Sequence, residues 1–189
     1  MKMETMTNHN RSFPEGLAVE FYFDRETEEK VFAFRETLYR QGISRIQGLL
    51  NDKPHISLGV LPKNNSEKVI KLTEEFSRSI NSFQFELNAV GVFPTPENVF
   101  FLIPIPNRKL LSIHARFQRL LKKEGLPVSD YYLPGKWVPH CTLEFNLPDE
   151  DLSRAILLSK AQFKPITGTI KQIGVVAFRP IEHLAHFDL

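Results

Sequence analysis

Between Leu17 and Phe23 the chain reads LAVEFYF, an alternation of apolar and mixed residues rich in β formers, which predicts a strand. Asp24 then stands where a helix N-cap belongs, and Val31, Phe34, Leu38 and Tyr39 follow at helical spacing until Gly42. Pro54–Val60 is predicted as a strand. Asn65 or Ser66 is predicted to cap a second helix carrying Val69, Ile70, Leu72, Phe76 and Ile80. A further strand spans Phe83–Phe93 and stops at Pro94-Thr95-Pro96.

The same order then recurs. Val99–Ile105 predicts a strand, and Asn107 opens a helix with Leu110, Leu111, His114, Phe117, Leu120 and Leu121, closed by Gly125. A strand over Pro139–Phe145 follows. Pro148 and Asp149 start a helix through Leu152, Ala155, Ile156 and Leu158. A long strand region, Phe163–Phe178, has Gly168 as a potential break, and His183–Leu189 closes the chain. The interval between Gly42 and Gly125 equals that between the triplets Val90-Gly91-Val92 and Ile173-Gly174-Val175. The pattern therefore predicts an α+β fold with an internal duplication. Repeat 1 covers about 17–93 and repeat 2 about 99–178, with a closing strand over 183–189. These form one bilobal domain, 14–189, whose two pseudo-twofold lobes face each other across a cleft, where small-molecule sites are favoured.

Composition adds boundaries to this picture. A chain of 189 residues, 42% hydrophobic with 16 Phe, can bury a real core. Its net charge of +2 permits an anionic ligand without predicting a face for duplex DNA. One cysteine, Cys141, leaves no intrachain disulfide and no cysteine zinc cluster, in keeping with a reducing cytoplasm. Residues 1–13 are polar, are expected to form a disordered tail, and contain no signal-peptide core. No apolar run reaches the length of a membrane span. Oligomeric state leaves no trace in the sequence.

The chemistry lies in two pentapeptides, Pro54-His55-Ile56-Ser57-Leu58 and Pro139-His140-Cys141-Thr142-Leu143. Side chains alternate along a strand, so His55 shares a face with Ser57, and His140 with Thr142 and Glu144. Alternate side chains stand roughly 6.5–7 Å apart, within reach of one phosphoryl group. Hydrolysis of a cyclic phosphodiester needs a base for the attacking water and an acid for the leaving oxygen. Two imidazoles supply both near neutral pH, and two hydroxyls can donate to the non-bridging oxygens.

With these motifs the sequence resembles the two-histidine phosphoesterase superfamily, which includes the 2′-5′ RNA ligases and cyclic phosphodiesterases. The resemblance rests on two His-x-Ser/Thr-hydrophobic motifs on matching strands of a repeated unit and covers about Leu17–Leu189. It implies that His55 and His140 are the catalytic pair, that Ser57 and Thr142 bind phosphate, and that no metal or other cofactor is needed. The implied substrate is a nucleotide or an RNA end. The implied reaction is hydrolysis of a cyclic or 2′-5′ phosphodiester, with 2′-5′ joining of RNA ends, or nucleotide or RNA binding without catalysis, as alternatives.

Other residues carry weaker signals. Cys141 points to the apolar face and reads as structural. Strand spacing sets His183 and His186 on opposite faces, which argues against a metal pair. His114 reads as a packed residue. Lys53 and Lys136 precede the two histidines and could attract phosphate. Tyr132 and Trp137, with Tyr131, lie in the loop before the second motif, where they could stack a nucleobase or staple the loop to its lobe. Glu144 could orient His140 or lie in solvent at the strand end.

Overall fold

The computed structural model describes residues 15–44 and 52–189. The expected N-terminal tail lies outside the described residues. In chain order the elements are β1 (Gly16–Phe23), α1 (Arg25–Arg40), β2 (His55–Leu61), α2 (Ser66–Ser77), β3 (Phe83–Val92), β4 (Phe100–Pro104), α3 (Arg108–Lys123), β5 (Cys141–Glu144), α4 (Asp149–Gln162), β6 (Ile166–Phe178) and β7 (Glu182–Asp188). Asp24 and Asn107 cap their helices as predicted, accepting from the backbone N–H of Thr27 (2.9 Å) and Leu110 (2.8 Å). Gly42 and Gly125 follow α1 and α3 with φ of +65° and +68°.

Three boundaries differ from the sequence reading. A 3₁₀ turn over Lys63–Asn65 precedes α2, and the Asn65 side chain makes no capping bond. The second motif strand is only Cys141–Glu144, so His140 stands just before it. β6 runs unbroken through Gly168, paired there with Phe85 of β3.

All strands pair antiparallel in one sheet of order β2-β1-β6-β3-β4-β5, with β7 beside β6. Exchanging β1, β2 and β3 for β4, β5 and β6 reverses this order and leaves it unchanged. The third strand of each unit crosses to the first strand of the other: β3 pairs with β4, and β6 with β1. β6 can do this because it is 13 residues long. Its start pairs with β3, and the rest lies between β1 and β7.

Alternation then sorts the faces. Leu17, Val19, Phe21 and Phe23 of β1 join the core cluster with Ile56 and Leu58, Cys141 and Leu143, and Ile173, Val175 and Ala177. Val31, Phe34 and Leu38 of α1 and Leu110, Ile113, Phe117 and Leu121 of α3 pack into the same core. Glu20, Tyr22, His55, Ser57, His140, Thr142, Gln172 and Gly174 fall at the alternate positions, on the other face.

The sheet curls until its two edge strands, β2 and β5, meet. Two contacts hold them. The backbone N–H of His55 donates to the Cys141 thiol sulfur. Arg35, 2% exposed on α1, donates Nη1 to the Asp52 carbonyl (2.6 Å) and Nη2 to the Thr142 carbonyl (2.7 Å). One guanidinium thus ties the approach to the first motif to the backbone of the second. The outer side of β2 is covered as well, as exposed strand edges require. Trp137 Nε1 donates to Ser57 O (3.1 Å), Gln118 Nε2 to Leu58 O (2.7 Å), and Ser129 N to Val60 O (2.9 Å). Trp137 itself lies stacked on His114, with ring centroids 3.8 Å apart and planes 10° apart. His114 in turn donates Nε2–H to the Tyr132 carbonyl (2.9 Å). The loop before the second motif is therefore stapled by its own aromatic residue.

Two outcomes test this scaffold. Arg35→Leu strips both carbonyls of their donor and should cost about 1–3 kcal/mol for each, read by urea unfolding; a loss well under 1 kcal/mol contradicts the clamp. Burial lowers the His114 pKa to about 4. This lies below the unfolded value, so the stability His114 contributes is full above about pH 6.5 and is lost as pH falls toward 4. Moving from pH 7 to pH 5 should cost about 2 kcal/mol through this residue, and His114→Gln should flatten that part of the pH dependence.

Candidate active site

Each motif begins with a histidine anchored in the same way. His55 donates Nδ1–H to the carbonyl of Lys53, and His140 donates Nδ1–H to the carbonyl of Val138, both at 2.8 Å. A carbonyl only accepts, so Nδ1 carries the proton in both rings and Nε2 is the working nitrogen. Both rings are half-buried, as are the Ser57 and Thr142 side chains. The charge that His55 can carry is felt at His140, which places the two imidazoles within electrostatic reach of each other.

Beyond this shared anchor the two settings diverge. His55 Nε2 lies 3.4 Å from Glu20 Oε1, a carboxylate only 6% exposed. The other oxygen of Glu20 accepts from the Tyr22 hydroxyl at 2.8 Å. Burial, and then the charge and hydrogen bond of Glu20, push the Tyr22 phenol upward, so it stays a donor. Both nitrogens of His55 therefore face acceptors. His140 instead packs against Phe93, edge-on with centroids 4.9 Å apart, and against Phe101 at 5.1 Å. Burial, followed by the nearby His55, holds the His140 pKa below the ordinary imidazole value, against the opposing bond to Val138.

The flanking rings explain the repeated Gly-containing triplets. A Cβ on Gly91 would come 2.6 Å from Cε2 of Phe101, and one on Gly174 would come 2.7 Å from Cε2 of Tyr22. Each glycine clears the sheet surface for an aromatic side chain beside a motif histidine.

Of the further candidates, Tyr132 joins the site: its phenol shares a hydrogen bond with the Ser57 hydroxyl, and burial raises its pKa to about 12. Lys53 reaches the rim, with Nζ 5.2 Å from the Tyr22 ring and 3.5 Å from Glu28 Oε1. Trp137 does not offer a free face to a base. At 9% exposure, against His114 and bonded to Ser57, it is a structural staple. Lys136 is exposed next to the Gly135 turn, and among the described residues no ion pair joins it to the site. Glu144 neither orients His140 nor lies in solvent. It is 1% exposed and accepts from the Ser44 hydroxyl and from its neighbour's N–H (3.0 Å). Cys141 is fully buried, with its thiol pushed up to about 11 by that burial, outside nucleophile chemistry.

Glu20, Tyr22 and Arg35 were not singled out from the sequence, although signals existed. Glu20 is the one charge inside an otherwise apolar strand, and Arg35 interrupts the buried stripe Val31–Phe34–Leu38 of its helix. Among the described residues, no group of three or more His, Cys, Asp or Glu side chains could hold a metal ion, and no helix is long and apolar enough to cross a membrane.

Comparison with known proteins bears on the fold and the family. No curated protein sequence matches the chain. Among solved structures, LigT of E. coli in its apo form superposes with a TM-score of 0.63 at 18% identity, covering 94% of this chain and 99% of that one. LigT complexed with 3′-AMP gives 0.61 at 18% identity, with the same coverage. TT0787 of Thermus thermophilus gives 0.58 at 19% identity, covering 92% of this chain and 97% of that one. The sequence model of the 2′-5′ RNA ligase superfamily matches residues 23–179. With its paired motif strands and its fold both accounted for, the chain belongs to the 2′-5′ RNA ligase superfamily.

Proposed function

We propose that this protein is a metal-independent phosphodiesterase that hydrolyses cyclic or 2′-5′ phosphodiesters of nucleotides or RNA ends, with His140 as general base and His55 as general acid. The observation that carries this reading is the unequal setting of two identically anchored imidazoles. His140, desolvated by Phe93 and Phe101, offers a free Nε2 lone pair at neutral pH. His55 Nε2 lies 3.4 Å from the carboxylate of Glu20, an acceptor positioned to orient the ring.

In the proposed step a water oxygen attacks phosphorus while its proton passes to His140 Nε2. The bond from phosphorus to the ribose oxygen breaks, and that oxygen takes the proton from His55 Nε2. A phosphomonoester and a free hydroxyl result, with the proton moved from one histidine to the other and returned through solvent. Ser57 and Thr142 hydroxyls donate to the non-bridging oxygens, where hydrogen bonds strengthen as charge develops. Tyr132, bonded to Ser57, aims that hydroxyl. Joining of a 2′,3′-cyclic phosphate end to a 5′ hydroxyl would use the pair in the same sense: the hydroxyl replaces water as nucleophile and gives its proton to His140, and the leaving ribose oxygen takes one from His55. A nucleotide-sized anionic ligand is supported by the fold relatives: E. coli LigT has been crystallised with 3′-AMP, NADP+, phosphate and ATP.

His55→Ala and His140→Ala should each lower turnover of 2′,3′-cyclic nucleotides by about 10²–10⁴-fold, with the fold kept as judged by circular dichroism. Either variant working within a few-fold of the wild type contradicts the mechanism. Chelator should leave the rate unchanged; loss on chelation with recovery on adding a divalent metal would overturn the metal-independent reading.

A further inference from the structure

Strict alternation would separate His183 and His186, yet their rings stack with centroids 5.2 Å apart and planes 26° apart. The cause is a register shift in β7. His186 pairs with Gly174 and Ala185 with Val175, but His183 pairs with Val176 and leaves Leu184 unmatched. An extra residue of this kind turns the following side chain to the face it would otherwise miss.

That face is the catalytic one. Reading across the sheet, Ser57 pairs with Glu20, Glu20 with Gly174, and Gly174 with His186. The row beside it runs His55, Tyr22, Gln172, Asp188. Tyr22 bridges the two regions, its ring centroid 6.4 Å from that of His55 and 5.3 Å from that of His186. It does so across Gly174, where a Cβ would meet both Tyr22 Cε2 at 2.7 Å and His186 Cδ2 at 3.1 Å. Lys53, just before the first motif, closes the group with its Nζ 5.2 Å from the centroid of the same ring. An open surface pocket of about 490 Å³ is lined by Lys53, Gln172, His183 and His186.

We propose that His183, His186 and Lys53 form a second phosphate subsite, which takes the phosphate on the 5′ position of the nucleotide whose 2′,3′ end lies between His55 and His140. This deepens the phosphodiesterase reading and rests on it for the position of the first phosphate. Three groups able to carry positive charge converge on one pocket. The acidic neighbours are Glu28, paired with Lys53 at 3.5 Å, Asp188, whose Oδ1 accepts from Gln172 Nε2 at 2.8 Å, and Glu20 and Asp52, which act on the intervening Tyr22; none of them is paired with His183 or His186 among the described residues. Partial desolvation first, and then His183 and Lys53, hold the His186 pKa below the ordinary imidazole value; a bound anion would oppose the part due to His183 and Lys53. A divalent metal fits less well, because the ammonium group of Lys53 stands where it would repel one. Phosphate is the ligand such a set of donors recognises, and each lysine or imidazolium contact adds charge-assisted hydrogen bonds.

The test is calorimetric binding to the whole protein and to a His183→Ala/His186→Ala variant, with adenosine 3′-monophosphate and adenosine 3′,5′-bisphosphate as probes. Both histidines are exposed on β7, and a His183→Gln/His186→Gln variant guards against a packing defect. Wild type should bind the bisphosphate about tenfold more tightly than the monophosphate, and both variants should lose that preference while binding the monophosphate as before. Equal affinities in the wild type, no binding of the bisphosphate, or a preference that survives in the variants would each overturn the subsite. A third probe, the dinucleotide ApAp, carries the 5′ phosphate as a diester. A matching gain assigns the subsite to RNA ends, and a gain confined to the bisphosphate assigns it to free nucleotides. Binding does not depend on turnover, so the two proposals fail separately. Hydrolysis of 2′,3′-cyclic AMP without the bisphosphate preference removes only the subsite. The preference without hydrolysis removes only the phosphodiesterase.

Discussion

The guanidinium of Arg35 is buried where the two motif strands meet, and the spacing of the candidate site depends on it. β2 and β5 lie at opposite ends of the strand order, so no ladder of backbone bonds sets their separation. Arg35 bridges the Asp52 and Thr142 carbonyls, and the His55 N–H meets the Cys141 sulfur beside it. Burying a charge is costly unless it is hydrogen-bonded, and here Nη1 and Nη2 are spent on the two backbones that carry His55 and His140. A planar fork reaches two acceptors at fixed angles, which a lysine cannot do. The remaining side of β2 is held by Gln118, Ser129 and Trp137, all from the second half of the chain. Each half thus fixes the histidine of the other.

Symmetry in the backbone is broken in the side chains, and the proposed division of roles between the histidines rests on the break. Gly91 and Gly174 clear equivalent places on the sheet, but Phe101 fills one and Tyr22 the other. Phe101, with Phe93, dries the surroundings of His140. Tyr22 brings a hydroxyl that holds Glu20 against His55. Acid and base need opposite protonation states at one pH, and environments that differ in this way are how a pair of like residues acquires them.

Much of this was legible in the sequence. Period-two and helical spacing located the strands and helices to within a few residues, and the cap residues Asp24 and Asn107 are bonded as expected. The two His-x-Ser/Thr motifs pointed to the residues that the fold brings together. Contacts distant in the chain were not legible. Trp137 could have served ligand or loop, and only the stack on His114 and the bond to Ser57 decide it. Glu144 obeyed alternation but is turned into a buried bond with Ser44 where the strand ends. His183 and His186 defeated the alternation rule because one bulge, with no sequence mark of its own, reverses the parity of β7. The crossing of β3 and β6 between units also leaves no trace in periodicity. It is a choice among pairings equally apolar along their length.

The proposed unequal roles of the two histidines are tested most directly by a leaving group that needs no proton. Bis(4-nitrophenyl) phosphate releases a stable phenolate, so a general acid gains little on it while a general base is still required. Relative to the wild type on this substrate, His55→Ala should keep its rate within about tenfold, whereas His140→Ala should remain down by about 10² or more. Equal losses in the two variants, or a greater loss in His55→Ala, would contradict the assignment of His140 as base and His55 as acid.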